Sequence, residues 1–275
     1  MKKKLILSTY LLLVLITSPT NTLAQKSTDA IHDYNIKYSN NIKREMSILN
    51  KNDSNSLVGI IGDSHMTKSK RIAAIRLLSI NSSKDLIPKL DALLADLDNQ
   101  KKTSEITLYE WADISSAIGV AATEIEIKGK TFKMQIPLLI GMLDNPHRPV
   151  YTVIAKIIKG HENDPEYIAV LDNAYKTGNE KVKEMVLYAL TVSESNYLNK
   201  FCEYALNDPS ISLKRSAIFD MSRYDRARAL SLLEKLDKEL PPNDEMRRGI
   251  KADKELIISG YDPHKDFYIE NPVEY

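Results

Sequence analysis

Apolar positions along this chain recur at spacings of three and four, not two. Val150, Val153, Ile154, Ile157 and Ile158 follow the offsets 0, 3, 4, 7 and 8. Val182, Met185, Val186, Ala189 and Leu190 repeat them, as do Leu213, Ser216, Ala217, Asp220 and Met221. These offsets trace one face of an α-helix. The three sets begin 32 and then 31 residues apart, so the pattern is a repeat as well as a helix signal. Ile114, Ala117, Ile118, Ala121 and Ala122 form an earlier set, and Arg71 to Leu78 the first.

Before four of these five helices lies a different apolar run that ends in Asp or Asn. Leu90 to Asn99 and Ile136 to Asn145 both close on Leu-Asp-Asn, and Leu57 to Asp63 and Phe201 to Asp208 have the same shape. The chain is therefore expected to alternate first and second helices joined by short turns. One amphipathic pair cannot bury its stripe alone, so neighbours must cover it. Strand-like alternation is confined to residues 124–134, where Ile125 and Ile127 alternate with charge and Lys128-Gly129 suits a turn; a small β-hairpin inserted between helix pairs, or an irregular loop, is expected there.

An apolar first helix, an Asp-bearing turn and an Ala-rich second helix opening on a basic residue together resemble the HEAT repeat. The matching turn residues are Asp63, Asp98, Asp144 and Asp208, and the matching basic residues are Arg71, Arg148, Lys181 or Lys183, and Lys214 or Arg215. The resemblance covers residues 54–258 and implies an all-α, right-handed α-solenoid of about five to six helix pairs. The pattern departs from the family in a long turn at about 98–108 and in Thr177-Gly178, where an Asp is expected. Residues 25–53 read as an N-terminal capping helix, with Ile31, Tyr34, Tyr38, Ile42, Met46 and Leu49 near one face. Residues 259–275 form a tail that Pro263 and Pro272 keep from being one regular helix.

The first 24 residues change where this fold is expected to operate. Lys2, Lys3 and Lys4 precede an apolar stretch from Leu5 to Ile16, and Thr22-Leu23-Ala24 resembles a small-residue cleavage site. This is the layout of a signal peptide, with an apolar run too short for the roughly 20 residues that span a bilayer. A periplasmic or secreted protein with no integral membrane segment after cleavage is expected. Loss of the three lysines takes Lys+Arg from 38 to 35 against 37 Asp+Glu, a net charge of −2. That balance lacks the basic footprint of nucleic-acid binding. Cys202 is the only cysteine, so packing alone must hold the fold, and its apolar neighbours predict a buried thiol.

No complete catalytic constellation is visible. Gly62-Asp63-Ser64-His65 resembles the nucleophile block of SGNH-type esterases, but the family's other blocks are matched neither by Asn163 nor by Asp262-Pro263-His264. Asp63 falls where the repeat places its turn residue, with Ser64 available for local capping bonds. The five histidines have no i, i+4 pair, and neither His161-Glu162-Asn163-Asp164 nor Asp262 to Asp266 forms a familiar metal pattern. The expectation is a non-enzymatic module without cofactor or metal that binds another protein. Its candidate contacts are Arg71, Arg148, Lys183, Tyr188, Lys214, Arg215 and Tyr224, on or beside the second helices. The basic positions also suit a ladder paired with the turn aspartates of neighbouring repeats, the reading that the resemblance favours. An inhibitor or immunity protein for an enzyme in the same compartment is the narrower form of this expectation. A hydrolase or lyase on a solenoid scaffold, or a structural envelope component, is the alternative.

Overall fold

A computed structural model describes residues 37–81 and 83–260, and among these residues every regular element is a helix. Helix α1 covers 37–49. It is followed by α2 (Ser54–Gly62), α3 (Lys68–Asn81), a 3-10 turn (Lys84–Leu86), α4 (Ile87–Lys102) and α5 (Leu108–Ile127). Then come α6 (Phe132–Met142), α7 (Val150–Ile158), α8 (Pro165–Thr177), α9 (Glu180–Val192) and α10 (Leu198–Leu206). The last three are α11 (Ile211–Met221), α12 (Arg226–Glu239) and α13 (Met246–Ser259). The expected signal peptide, residues 25–36 of the expected capping helix and the tail beyond Gly260 lie outside the described residues.

Local chemistry starts many of these helices. The Asp53, Asp164, Asn179, Ser210 and Asp225 side chains accept backbone N–H groups in the first turns of α2, α8, α9, α11 and α12. Thr107 and Glu110 form a reciprocal capping box at α5. Each such cap satisfies donors that the helix itself leaves orphaned. Gly178, where the turn residue of the repeat was expected to be Asp, is needed for another reason. A Cβ there would sit 2.5 Å from the Val182 Cβ and 2.6 Å from the Ala174 carbonyl oxygen. Asn179, one residue on, supplies the cap.

Packing follows two rules of adjacency. Each helix packs on its chain neighbour, as in α2 with α3, α4 with α5, α10 with α11 and α12 with α13. Every second helix also packs on the next one, in the series α3, α5, α7, α9, α11 and α13. The core runs through three apolar clusters: Ile42 to Ile125 at the N-terminal end, Ile127 to Met221 centrally, and Ile218 to Ile257 at the C-terminal end. Cys202 is fully buried in the central cluster, and burial pushes its thiol pKa up.

The expected hairpin at 124–134 is instead the end of α5, a tight turn and the start of α6. Gly129 adopts φ +74° in that turn. The local alternation has a simple cause. Ile125 enters the N-terminal core cluster and Ile127 the central one, so the last turn of α5 is buried on two sides. Glu124 and Glu126 between them pair with Lys156 and Lys84. Likewise Asp98 is not a turn residue. Helix α4 continues to Lys102, and Asp98 accepts the indole N–H of Trp111 at 2.8 Å. Ser216, assigned to the apolar face of its helix by spacing, is exposed, and Ile218 takes its place in the core.

Candidate functional site

The expected contact residues divide into a core group, a paired group and an exposed group. Arg71 is in the core, with 1% of its surface exposed. Its Nε donates to the Ile61 carbonyl at 2.7 Å and its Nη2 to Gln100 Oε1 at 3.1 Å. Gln100 in turn donates to the Gly62 carbonyl and to Asp96. The guanidinium thus closes the C-terminal end of α2 and ties it to α4. It has no surface from which to reach a partner, and burial lowers its pKa.

The other basic positions are mostly joined to carboxylates, Asp144 and Asp208 in the turns within helix pairs and Asp91 and Asp253 within helices. Arg148 bonds Asp91 at 2.7 Å and Lys183 bonds Asp208 at 2.5 Å, while Lys181 pairs with Asp144. Arg215 makes a two-pronged bond to Asp253, at 2.5 Å through Nε and 2.8 Å through Nη2. Lys214 is half-buried and lies near enough to Asp208 to lower that carboxyl's pKa. Tyr224 is 52% exposed, in the turn between α11 and α12.

At the opposite ends of the second helices, cations close carbonyls near the helix C-termini. Lys128 donates to the Ile80 carbonyl at the end of α3, Arg223 to Thr191 near the end of α9, and Arg226 to Ile258 near the end of α13. A cation at a helix C-terminus meets both an orphan acceptor and the negative end of the dipole. The turns themselves are stitched together, with Ser195 Oγ donating to the Glu162 carbonyl and the Asn196 N–H to Asn163 Oδ1 at 2.9 Å. Phe132, Tyr167 and His161 stack in sequence beside this edge, with centroids 4.2 and 4.4 Å apart.

Between these edges lies the outward stripe of the second helices. On α9 it is Glu180, Glu184 and Tyr188, spaced four residues apart and all at least partly exposed. Tyr151 of α7 packs edge-on against Tyr188, with centroids 5.5 Å apart and planes at 84°. The Tyr151 hydroxyl lies 3.5 Å from Glu184 Oε2, and the Ser212 hydroxyl of α11 lies 3.3 Å from Glu184 Oε1. Glu180 accepts from Ser210 at 2.7 Å. Burial raises the Glu184 pKa, and Glu180 beside it adds to the shift. Burial and the Glu184 charge push the Tyr151 hydroxyl up to about 12. Lys156–Glu124 and Arg215–Asp253 flank this centre as closed pairs.

Sequence reasoning found Tyr188 and missed Tyr151, Glu180 and Glu184. The available signal was the complement of the apolar set: on α9 the positions left over by 182, 185, 186, 189 and 190 include 180, 184 and 188.

At the Gly-Asp-Ser-His loop the geometry is that of a turn. Asp63 Oδ1 accepts the His65 backbone N–H at 2.9 Å and lies 3.2 Å from His65 Nδ1, while the His65 side chain is 93% exposed. The His65 N–H is the main reason that the Asp63 pKa is lowered. Asp208 accepts from Ser210 N–H and Asn145 from His147 N–H in the same way. Asn163 is taken up by its bond to Asn196, and Asp262 and His264 lie outside the described residues. Among the described residues no three of His, Cys, Asp and Glu converge to hold a metal ion, and no helix is long and apolar enough to cross a membrane. Compared with known proteins, the chain matches no family model, no curated protein and no solved structure.

Proposed function

We propose that this chain is an exported HEAT-type α-solenoid that binds another protein along the outward stripe of its second helices. The solenoid reading rests on the sequence repeat and on the offsets of the links between helices. Tyr151–Lys181, Lys156–Glu124, Arg223–Thr191 and Ser195–Glu162 join residues 30, 32, 32 and 33 positions apart. Those offsets lie within one residue of the 31–32-residue period of the apolar sets, as stacking of one unit on the next requires. The export reading rests on the pattern of residues 1–24 alone.

The observation that carries the binding role is the Tyr151–Glu184–Tyr188–Ser212 cluster, which crosses three successive second helices. Tyrosines give rigid contact area with a polar tip, and solenoids use such extended faces for recognition. Of the basic residues anticipated as contacts, Arg71, Arg148, Lys183 and Arg215 are engaged within the fold, so the tyrosine stripe is the better anchor. An inhibitor of an enzyme in the same compartment is the narrower form of this proposal. A photoreactive residue at position 188, with a control at Lys133 on α6, tests it in the native compartment. One stoichiometric adduct from 188 alone is expected, and inhibition of that partner, if it is an enzyme, would establish the narrower form. Adducts from 133 with none from 188 would overturn the assignment of the face.

A further inference from the structure

We infer that Glu184, beside the edge-to-face pair of Tyr151 and Tyr188, is the seat of a partner's arginine side chain. The inference rests on the binding face proposed above and adds the chemistry of what it recognises, which is basic and not acidic.

Three observations lead there. The first is charge. Across the second-helix face, Glu124 is joined to Lys156 and Asp253 to Arg215. Among the described residues no lysine or arginine forms an ion pair with Glu184; its hydrogen-bond partners are two hydroxyls, at 3.3 and 3.5 Å. The uncompensated charge at the centre of the face is therefore negative, with Glu180 adding to it. Lys181 lies near enough to favour ionised Glu184 but is itself paired with Asp144.

The second observation is solvation. Glu184 is half-buried between α7 and α11, and it has lost water without gaining a strong donor. A carboxylate in that state gains more from an incoming cation than a fully hydrated one. The third is shape. Tyr151 and Tyr188 pack edge to face at 84°, and the Tyr151 hydroxyl lies 3.5 Å from the carboxylate. A guanidinium can lie on a ring face while donating two N–H groups to a carboxylate, which suits arginine better than lysine. Arginine set against tyrosine is a common centre of interface energy.

The test uses the chain from Gln25 onward with isotope-labelled tyrosine rings, assigned with Tyr151→Phe and Tyr188→Phe. The probes are a short glycine–arginine peptide, the same peptide with citrulline for arginine, and a glycine–glutamate peptide. The arginine peptide should shift the Tyr151 and Tyr188 signals, with the citrulline peptide at least tenfold weaker. Glu184→Gln should weaken the arginine peptide at least tenfold. Tyr188→Leu, which spares the carboxylate, should weaken it severalfold and keeps the test informative if Glu184→Gln alters the fold. Equal binding of citrulline and arginine, no effect of Glu184→Gln on a folded protein, or no shift of either tyrosine would overturn the inference. Shifts from the glutamate peptide alone would overturn it too. If crosslinks from position 188 persist in any of those cases, the binding face stands without the arginine seat; if they also fail, both fall.

Discussion

Arg71 donates through Nε to the carbonyl oxygen of Ile61, ten residues earlier, at 2.7 Å in the N-terminal core. A charge in such a place is tolerated because Nε and Nη2 are each met by an oxygen, and because Gln100 carries the network on to Gly62 and Asp96. Removing it leaves buried acceptors without donors as well as a cavity. Arg71→Ala should therefore cost about 3 kcal/mol of unfolding free energy. Urea denaturation checks this, and a loss below about 1 kcal/mol would contradict the buried network.

Gly119 gives a prediction whose sign is opposite to helix propensity. Gly→Ala in the interior of a helix ordinarily stabilises by about 1 kcal/mol. Here a Cβ would press on the His147 carbonyl oxygen and lie 2.8 Å from the Pro149 Cδ, where the turn before α7 crosses α5. Gly119→Ala should lower the melting temperature, by an amount equivalent to about 2 kcal/mol. A melting temperature equal to or above the parent's would show that the turn moves aside freely.

Arg215 and Asp253 hold α11 to α13 across 38 residues of sequence, and Asp253 is nearly buried. Each single substitution, Arg215→Ala or Asp253→Ala, strands the other group. A double-mutant cycle should return a coupling of about 1–3 kcal/mol. A coupling near zero would place the pair with the many surface ion pairs that contribute nothing measurable.

Two carboxylates on this edge and face should respond to pH with opposite signs. Burial alone would raise the Asp208 pKa, but Lys183 and the Ser210 N–H outweigh it and lower it. Its contribution to stability is present above the unfolded pKa and is lost as pH falls through the folded value. Glu184 is raised, by burial first. Its contribution is present below the unfolded pKa and is lost as pH rises through the folded value. Thermal melts from pH 3 to 8 should show Lys183→Met flattening the acid limb, at a cost of about 1 kcal/mol at neutral pH. Glu184→Gln should raise the neutral-pH melting temperature by a few degrees and leave the acid end unchanged, since the parent is protonated there. A fall at neutral pH would mean that ionised Glu184 is favoured in the folded protein.

The Cys202 thiol is fully buried, and its pKa is raised. It should resist thiol reagents in the folded protein and react fully once the chain is unfolded in denaturant. Rapid labelling under native conditions would show that α10 opens readily.

The second helices were legible because their apolar positions are set by a period that is local to the chain. All five members of the Val182 set are buried, as are four of the five in the Val150 set. Legibility failed where a residue serves two neighbours at once. Ile125 and Ile127 imitate a strand because the end of α5 is covered from two sides. Asp98 imitates a turn residue because its partner, Trp111, lies on the following helix and cannot be inferred from spacing. The basic ladder was visible as a set of residue types, but not that Arg71 faces inward to Ile61 while Arg148 reaches Asp91, 57 residues away.

What the sequence by itself determined was the helical class and the inward face of most of the second helices, because a 3.6-residue period and the burial of apolar area act within a dozen residues. Only the tertiary structure decided which charges are spent on one another and which remain. Glu184 is left with hydroxyl partners, while Lys156, Lys183 and Arg215 are each held by a carboxylate. Those pairings join residues 25 to 38 positions apart, so they depend on how helices lie against one another, which no local period encodes.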